Sequence, residues 1–305
     1  MLKSENYFCV KSFFTNLHVY FNIRKMLLAG IKRRHQFSPN NVGNDGAIFN
    51  CTVAQLKNLG YQVNEYDEDE LIVKDLVERN IFSMARDPRV LEKLRQTEMA
   101  GGIVVNSVEG VENCFRNNMT RILMEKKLPA PDSVIMETVK PDLSVFTTLG
   151  PCWVKRGDFH ALHREDVVFV SNPAVGCNIL AEYARRGIPS VTVCKHIPGD
   201  LVKFYGVRGT GFFFYFYPEE YNHSKFGHEV VNGKLHHYEL DIERLKSVAF
   251  EIADILNLDI FGGDVIVTAK GEIYLIDMND WPSFAPCREE AALPVAQRIH
   301  QLMSS

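Results

Sequence analysis

The sequence is poor in the features that mark membrane, nucleic-acid-binding and disulfide-rich proteins. No apolar run approaches the roughly 18 residues that a membrane-spanning helix needs. The formal net charge of −4 lacks the basic surplus expected for a nucleic-acid or anionic-membrane partner. The seven cysteines never form a Cys-x-x-Cys pair, which argues against a zinc site or a disulfide framework. These absences favour a soluble protein in a reducing compartment, and we expect it in the cytoplasm without a nucleic-acid or membrane partner.

The N-terminal residues also lack the pattern of a secretory signal. Residues 1–25 are rich in aromatic side chains and asparagine, and they contain neither a continuous apolar stretch nor a small-residue cleavage site. We therefore predict that residues 1–25 are either a poorly ordered extension or the result of a mis-assigned start codon, with Met26 as the candidate true start.

Neither of the common glycine-rich phosphate-binding loops is present. The sequence contains no Gly-x-x-x-x-Gly-Lys-Ser/Thr segment, and the glycine-rich residues 206–211 lead into a predicted strand rather than a helix. If the protein binds a nucleotide, side chains and strands must hold its phosphates.

What the sequence does contain is a regular alternation of strands and helices over its first third. The patterns follow in the order strand 26–31, helix 44–60, strand 61–66, strand 80–85, helix 87–101 and strand 102–107. Such alternation gives a parallel sheet with helices on its faces. We predict an α/β N-terminal domain over residues 26–110.

The prolines of residues 128–131 predict a boundary or linker, because they remove backbone donors and fix φ. Strand patterns then dominate, at 132–136, 152–156, 167–171, 190–197, 202–207 and 210–217, with helices at 178–187 and 241–257 and a hairpin around Asn232-Gly233. We predict that this middle and last part of the chain is α+β with antiparallel sheets.

Two acidic residues lie in a predicted hairpin near the C-terminus, in the segment GGDVIVTAKGEIYLIDMND of residues 262–280. If the turn is the two-residue Lys270-Gly271, antiparallel pairing places Asp264 opposite Asp277, with their Cβ atoms roughly 4.5–5.5 Å apart. Like charges in that position destabilise a sheet, so a hard cation between them would explain the pattern. A solvated strand end with ordinary acidic residues is the alternative.

Side-chain alternation adds a third oxygen ligand to this pair. Asn279 should lie on the same face as Asp277. The opposite, packed face should carry Tyr274, Ile276 and Met278. Two carboxylates and an amide suit Mg²⁺, which completes its shell with phosphate oxygens and water.

The segments GGDVIV and YLIDMNDWP resemble the C-terminal signature of the ATP-grasp superfamily, in which an acidic residue, then an acidic residue and an Asn two apart, bind the catalytic metals. The resemblance extends from Met26 to the end. It implies an α/β N-terminal domain plus α+β ATP-grasp domains, two subdomains clasping ATP between antiparallel sheets. The central subdomain would cover residues 111–195, and the C-terminal subdomain with the metal site would cover residues 196–305. It also implies that Asp264, Asp277 and Asn279 bind Mg²⁺, with Mn²⁺ as an alternative ion. The second acidic residue of the family is more often Glu. Asp277 has a shorter side chain, so its carboxylate extends less far from the strand toward the metal.

The resemblance continues upstream in the order expected for a nucleotide cleft. Residues 101–131 resemble the entry to the ATP domain, residues 152–157 the strand with the phosphate-binding lysine, and residues 191–207 the adenine hinge, whose usual acid is missing. It implies nucleotide contacts from Arg116, Lys155, Lys195, Ile197, Asp200 and Lys203. Within this set, Lys155 would bridge α- and β-phosphate oxygens, Asp200 would bind ribose, and Lys203 would reach the γ-phosphate. For Arg116, a solvated helix residue is an equal alternative.

Three residues are candidates for a catalytic role. Lys203 and Arg208 could stabilise charge on a transferring group, and Arg208 could instead bind a substrate carboxylate. His160 lies where the family commonly has a glycine-rich lid, and it could donate to phosphates or position a substrate. The alternatives are a surface arginine for Arg208 and an ordinary loop histidine for His160.

Three functions remain open from the sequence. The first is an ATP-dependent carboxylate-amine ligase that forms an acyl phosphate, most similar to the ribosomal-protein glutamate ligases, with small-molecule or peptide carboxylate and amine substrates. The second is a small-molecule kinase of the inositol-phosphate type, suggested by His160 and by the missing glycine-rich lid. The third is a non-catalytic nucleotide-binding protein. A homo-oligomeric state also stays open.

Overall fold

The structure is a computed structural model, and it describes residues 26–38, 42–220, 231 and 234–304. The predicted N-terminal extension, residues 1–25, and the predicted hairpin at Asn232-Gly233 lie outside the described residues.

The described residues form three four-stranded sheets with helices packed around them. The strands, in chain order, are β1 (Leu27–Lys32), β2 (Gln62–Asp67), β3 (Asn80–Ser83), β4 (Ile103–Val105), β5 (Ser133–Glu137), β6 (Cys152–Arg156), β7 (Val167–Val170), β8 (Ser190–Lys195), β9 (Asp200–Val207), β10 (Phe213–Phe216), β11 (Ile260–Val267) and β12 (Ile273–Asp280). The helices are α1 (Val42–Asn58), α2 (Glu68–Leu71), α3 (Pro88–Met99), α4 (Val108–Asn113), α5 (Arg116–Glu125), α6 (Val145–Leu149), α7 (Pro173–Arg185), α8 (Ile242–Ile255) and α9 (Arg288–Met303). None of these described helices is both long enough and apolar enough to cross a bilayer.

The first sheet has the order β2-β1-β3-β4, and each of its pairs is parallel. Its central strand β1 is almost wholly buried because helices cover both faces, and Leu28, Ala29 and Ile31 have no exposed surface. The predicted parallel α/β arrangement is therefore confirmed.

Helix boundaries in the chain follow local capping chemistry. Asp87 caps α3 by accepting from the backbone N–H of Arg89, and Pro88 occupies the first helical position. Asp241 caps α8 in the same way, as predicted, by accepting from the N–H of Arg244. Helix α7 begins earlier than the predicted residue 178, because Asn172 caps it and Pro173 starts it.

The second and third sheets are antiparallel, as predicted. The second has the order β5-β8-β6-β7, and the third has the order β10-β9-β11-β12. In the second sheet, Cys152 and Val154 of β6 pack in a core with α6 and α7. By alternation, Trp153 and Lys155 lie on the other face of that sheet.

The C-terminal helix α9 returns to the first part of the chain. Its Val295 and Ile299 share a core with Leu28 of β1 and Ile48 of α1, and Trp281 belongs to the same core. The sequence patterns did not predict α9, which has Pro294 in its interior. This return places the end of β12 against the first sheet.

Candidate functional site

The acidic hairpin is formed by β11 and β12. Asp264 and Asp277 are directly opposite each other across the two strands, and Asn279 is opposite Gly262. The predicted pairing of the two carboxylates is confirmed.

The hairpin reaches this register by a different route from the predicted one. The loop has three residues, 269–271, since the N–H of Thr268 donates to the carbonyl of Glu272 at 2.9 Å, and Gly271 has φ 72°. A three-residue loop with glycine in the left-handed region is a common hairpin connection. Relative to the predicted two-residue turn, this loop shifts the pairing of β11 with β12 by one residue. A bulge at Ile276 compensates for the shift, so that Asp264 still pairs with Asp277. The predicted two-residue turn is wrong.

The same bulge changes which side chains face the core. Ile273, Leu275 and Met278 pack in the core of the third sheet. Tyr274 and Ile276 therefore lie on the other face, and the prediction that they share the packed face with Met278 is wrong. Ile276 lines the cleft instead.

Two consecutive glycines of β11 allow close packing around the acidic pair. A Cβ atom at Gly263 would lie 2.5 Å from the ring of Phe204 and 2.7 Å from the carbonyl oxygen of Asp277. A Cβ atom at Gly262 would lie 2.7 Å from the ring of Tyr205. The space beside the acidic pair thus depends on residues without side chains.

Arg116 reaches Asp277 from the start of α5. Its Nη1 and Nη2 donate to the two carboxylate oxygens at 2.9 and 3.2 Å, and the residue is only 5% exposed. The helix start is fixed because the N–H of Asn117, which has no intrahelical acceptor, donates to the carbonyl of Gly157 at 2.9 Å. Arg116 is therefore not the solvated helix residue that the sequence left as an alternative.

Two lysines complete the basic side of the site. Lys203 of β9 donates to both carboxylate oxygens of Asp264, at 3.0 and 2.9 Å. Lys155 of β6 crosses from the second sheet to the third and donates to the carbonyl of Ile276 at 3.0 Å. Burial and the nearby charge of Arg116 lower the pKa of Lys155. The structure thus brings Arg116, Lys155 and Lys203 together at the acidic hairpin.

The charge balance also keeps Asp277 ionised. Burial raises its pKa, but the charges of Arg116 and Lys155 outweigh burial and lower the pKa to about 2. A cleft lies beside the site, and its lining includes Arg116, Lys155, Cys194 and Ile276.

The oxygen-bearing side chains fit a magnesium ion bound together with a polyphosphate. Mg²⁺ commonly takes one or two carboxylates from the protein and its other ligands from phosphate and water. Asp264 and Asp277 supply two carboxylates, and Asn279 supplies an amide oxygen. Within the described part of the chain, no group of three or more His, Cys, Asp and Glu side chains is placed to hold a metal ion. The donor set therefore suits an ion that arrives with a nucleotide rather than an all-protein cage.

The predicted hinge residues lie next to this site, between β8 and β9. The N–H of Lys195 donates to the carbonyl of Asp132 at 2.8 Å, so that donor is already used within the second sheet. Ile197 is half-buried in the connection itself. The carboxylate of Asp200 accepts from the N–H groups of His236 and Tyr238, both at 2.8 Å. A ribose would have to share these oxygens, and the roles of the hinge residues stay predictions.

Arg208 does not reach the acidic hairpin. It lies five residues beyond Lys203 along β9, or roughly 16 Å at strand spacing. Its side chain pairs with Asp254 at 2.9 Å and with Asp259 at 3.0 Å, and Asp259 also pairs with Arg298. The structure therefore gives Arg208 structural partners away from the acidic hairpin, and its catalytic role stays a prediction.

His160 is buried rather than directed into an open cleft. Its ring meets Phe115 and Phe159 edge-on, and its Nε2 lies 3.4 Å from a carboxylate oxygen of Asp280. Burial and the charge of Arg86 lower its pKa to about 4, which keeps the ring neutral at pH 7. His160 thus packs beside Asp280, and the predicted action on phosphate or substrate gains no support from its contacts and stays a prediction.

Sequence reasoning missed two groups of residues around the site. Trp153 lies two residues before Lys155 on the same face, opposite Phe169, and its Nε1 donates to Nδ1 of His196 at 3.2 Å. Strand alternation in residues 152–156 could have placed this aromatic group beside Lys155. Asp280 was missed as well, and no local pattern marks its distant partners.

By sequence, no family model matches the chain, and no curated protein matches it. Solved structures do match its fold. D-alanine–D-alanine ligase from Bacillus anthracis, complexed with ATP, has a TM-score of 0.65 at 14% identity, covering 91% of this chain and 96% of that one. D-alanyl-alanine synthetase A from Vibrio cholerae has a TM-score of 0.67 at 13% identity, covering 92% and 99%.

A further match carries the name of the fold. The RimK domain protein ATP-grasp from Sphaerobacter thermophilus has a TM-score of 0.63 at 14% identity, covering 90% of this chain and 99% of that one. Each of these matches covers at least 90% of this chain. The chain has the ATP-grasp fold.

Proposed function

We propose that the chain is an ATP-dependent carboxylate-amine ligase that acts through an acyl phosphate. One observation carries the proposal: Arg116, Lys155 and Lys203 converge on the paired carboxylates Asp264 and Asp277, beside a cleft between two antiparallel sheets. Three cations beside two carboxylates suit a polyphosphate that is bound together with a divalent ion. The similar solved structures include ligases by name, which supports the same class of reaction here.

The reaction has two steps. In the first, a substrate carboxylate oxygen attacks the γ-phosphorus of ATP, the bond to the β-phosphate oxygen breaks, and ADP leaves. In the second, an amine nitrogen attacks the carbonyl carbon of the acyl phosphate, inorganic phosphate leaves, and the nitrogen loses a proton. Charge accumulates on phosphate oxygens in both steps, so fixed cations stabilise the transition states more than proton transfer does.

The side chains divide this work by position. Lys155 is buried and held against β12, so its ammonium group is a fixed point charge for phosphate oxygens. Lys203 and Arg116 each lie against one carboxylate, where their positive charges would also attract phosphate oxygens. Asp264, Asp277 and Asn279 would hold Mg²⁺, with Mn²⁺ as an alternative ion. When bound, that ion neutralises charge on the β- and γ-phosphates.

The kinase hypothesis keeps the missing glycine-rich lid but loses support from His160. His160 was its main support, and that side chain is buried against Asp280 with a pKa of about 4. A kinase and a non-catalytic nucleotide-binding protein are therefore treated as outcomes of the test. The carboxylate and the amine are proposed as a class only, either small molecules or peptides, and the cytoplasm remains the proposed location.

The test is trapping by hydroxylamine. Purified protein is incubated with Mg²⁺, ATP and a panel of carboxylic acids, each with hydroxylamine as the amine. A ligase should release ADP and form a hydroxamate with at least one acid. The Lys155→Met variant should lose both products, whereas Arg298→Gln, altered on α9 at the ion pair with Asp259, should retain them.

Two results would contradict the proposal. A phosphate ester that survives hydroxylamine would identify a kinase. Mg²⁺-dependent ATP binding without ADP release across acid and amine panels would favour a non-catalytic nucleotide-binding protein.

A further inference from the structure

A single buried carboxylate joins the first sheet, the second sheet and the acidic hairpin. Asp280, the last residue of β12, is only 1% exposed and is surrounded by Arg33, Arg86 and His160. We call these four residues the Asp280 clamp. Nε and Nη2 of Arg86 donate to Oδ1 of Asp280 at 3.0 and 2.7 Å, and Nη2 of Arg33 donates to Oδ2 at 3.3 Å.

The members of the clamp come from separate parts of the chain. Arg33 follows β1 and Arg86 follows β3, so both arginines lie at the carboxyl end of the first sheet. His160 lies in the connection after β6 of the second sheet. Asp280 ends the strand that carries Asp277 and Asn279. The three sheets thus meet at one charged group.

The clamp holds the backbone of β12 as well as its carboxylate. Nη2 of Arg86 donates to the carbonyl of Asp280 at 3.1 Å, and Nη2 of Arg33 donates to the carbonyls of Asp280 and Trp281 at 3.3 and 3.0 Å. These bonds fix the path of the strand on the C-terminal side of Asn279. On its N-terminal side the ladder is interrupted by the bulge at Ile276.

Stability alone does not explain a buried ionic group of this kind. The desolvation of buried charges offsets most of their attraction, so a well-packed apolar pair is often as stable or more stable. A rigid polar group does give geometric precision, and ligand-orienting partners beyond the metal ligands commonly change metal affinity when they are altered. The location of the clamp, one residue beyond Asn279, suits such a role.

We infer that the Asp280 clamp positions the metal-binding end of β12 and couples the packing of the first sheet to the affinity of the metal site. Arg33, Arg86 and Asp280 are positioning residues in this arrangement and touch neither nucleotide nor metal. The inference rests on the proposed function, because it assumes that Asp264, Asp277 and Asn279 bind a divalent ion.

The test separates positioning from folding with a double variant, Arg86→Met with Asp280→Leu. Removing both charges together avoids leaving a buried arginine unpaired, and Arg33 keeps Asp45, to which its Nη1 donates at 3.0 Å. The control is Arg298→Gln, which removes an ion pair with Asp259 elsewhere on the third sheet. Folding of each full-length variant is checked by circular dichroism and thermal unfolding.

The measurement is the affinity for Mn²⁺ in the presence of a non-hydrolysable ATP analogue. Electron paramagnetic resonance detects the free Mn²⁺. We expect the folded double variant to bind Mn²⁺ about 10–100-fold more weakly than wild type, as is typical for loss of an outer-shell partner. Affinity for the analogue without metal should be unchanged, and the control should match wild type in both assays.

The outcomes distinguish the inference from the function beneath it. Wild-type Mn²⁺ affinity in the folded double variant would overturn the inference and leave the proposed function intact. A wild-type protein that binds no Mn²⁺ with the analogue would overturn both. If the double variant does not fold, Arg86→Lys takes its place, since it keeps the charge but loses the paired contacts. Unchanged Mn²⁺ affinity in that variant would equally overturn the inference.

Discussion

The substitution Asp277→Asn tests whether the ion pair with Arg116 or the repulsion between the two carboxylates dominates the acidic hairpin. The amide keeps the shape of the side chain but removes its charge. Arg116, which is 5% exposed, then loses a charged partner at 2.9 and 3.2 Å. At the same time Asp264 no longer faces a like charge across the strands.

The two effects differ in size. The pKa of Asp277 falls from its ordinary 3.8 to about 2, and this difference corresponds to about 2 kcal/mol of stability. Breaking a fully buried pair costs about 3–5 kcal/mol, but the Asp277 side chain is 24% exposed and water offsets part of that loss. Like charges on facing strands cost only about 0.2–1 kcal/mol. We therefore expect Asp277→Asn to lower the free energy of unfolding by about 2–3 kcal/mol at pH 7.

The pH dependence follows from the same pair. Because the pKa of Asp277 is lower in the folded protein than in the unfolded chain, its contribution is complete above about pH 4 and is lost as the pH falls toward 2. The difference in stability between wild type and Asp277→Asn should therefore shrink over that interval.

Urea unfolding of both proteins, at pH 7 and at steps between pH 4.5 and 2.5, measures this difference. The matched control is Asp264→Asn, whose partner Lys203 has a flexible, partly exposed side chain that water can solvate. We expect the control to cost about 1 kcal/mol or less at pH 7. An Asp277→Asn variant as stable as wild type, or more stable, would refute the reasoning, since repulsion would then outweigh the ion pair.

Three other substitutions have separate expected outcomes. Lys155→Met should weaken ATP binding about 10–100-fold in calorimetry, because hydrogen bonds to charged groups contribute about 1.5–3 kcal/mol; unchanged affinity would exclude Lys155 from the phosphate site. Gly263→Ala should destabilise the protein by about 1–3 kcal/mol in urea, since its Cβ would lie 2.5 Å from the ring of Phe204; no loss would mean that the strands can separate there. Arg208→Gln should lower stability by about 1 kcal/mol, because Arg298 still pairs with Asp259; a large loss of ligase turnover in the folded variant would support its predicted catalytic role.

The pairing of Asp264 with Asp277 could be predicted because both residues lie in one hairpin, where short-range rules apply. The prediction succeeded although the loop is one residue longer than assumed, since the bulge at Ile276 compensates before the acidic pair. Such a bulge has no signature in a single sequence, so the packed face of β12 was assigned incorrectly for Tyr274 and Ile276. A sequence can therefore predict the strand register at a site correctly and still assign the wrong face to residues of the strand that leads to the site.

Basic residues were assigned less reliably, because their partners lie far away along the chain. A basic side chain near a motif can bind a phosphate or pair with an acid that no local pattern identifies. Arg208 pairs with Asp259, 51 residues away, and that pair removes it from the site. Arg116 pairs with Asp277, 161 residues away, and that pair brings it into the site. Local sequence could not separate the two cases.

Asp280 is the strongest example of a residue whose partners local sequence cannot identify. The distance of these partners along the chain also bears on the function inferred for the clamp. Its two arginines are 247 and 194 residues distant, so only the folded chain places them around it. They come from the first sheet, whereas the carboxylate belongs to the strand that carries two predicted metal ligands. If the clamp positions β12 as inferred, a rearrangement of the first sheet that moves these arginines would also move the end of β12.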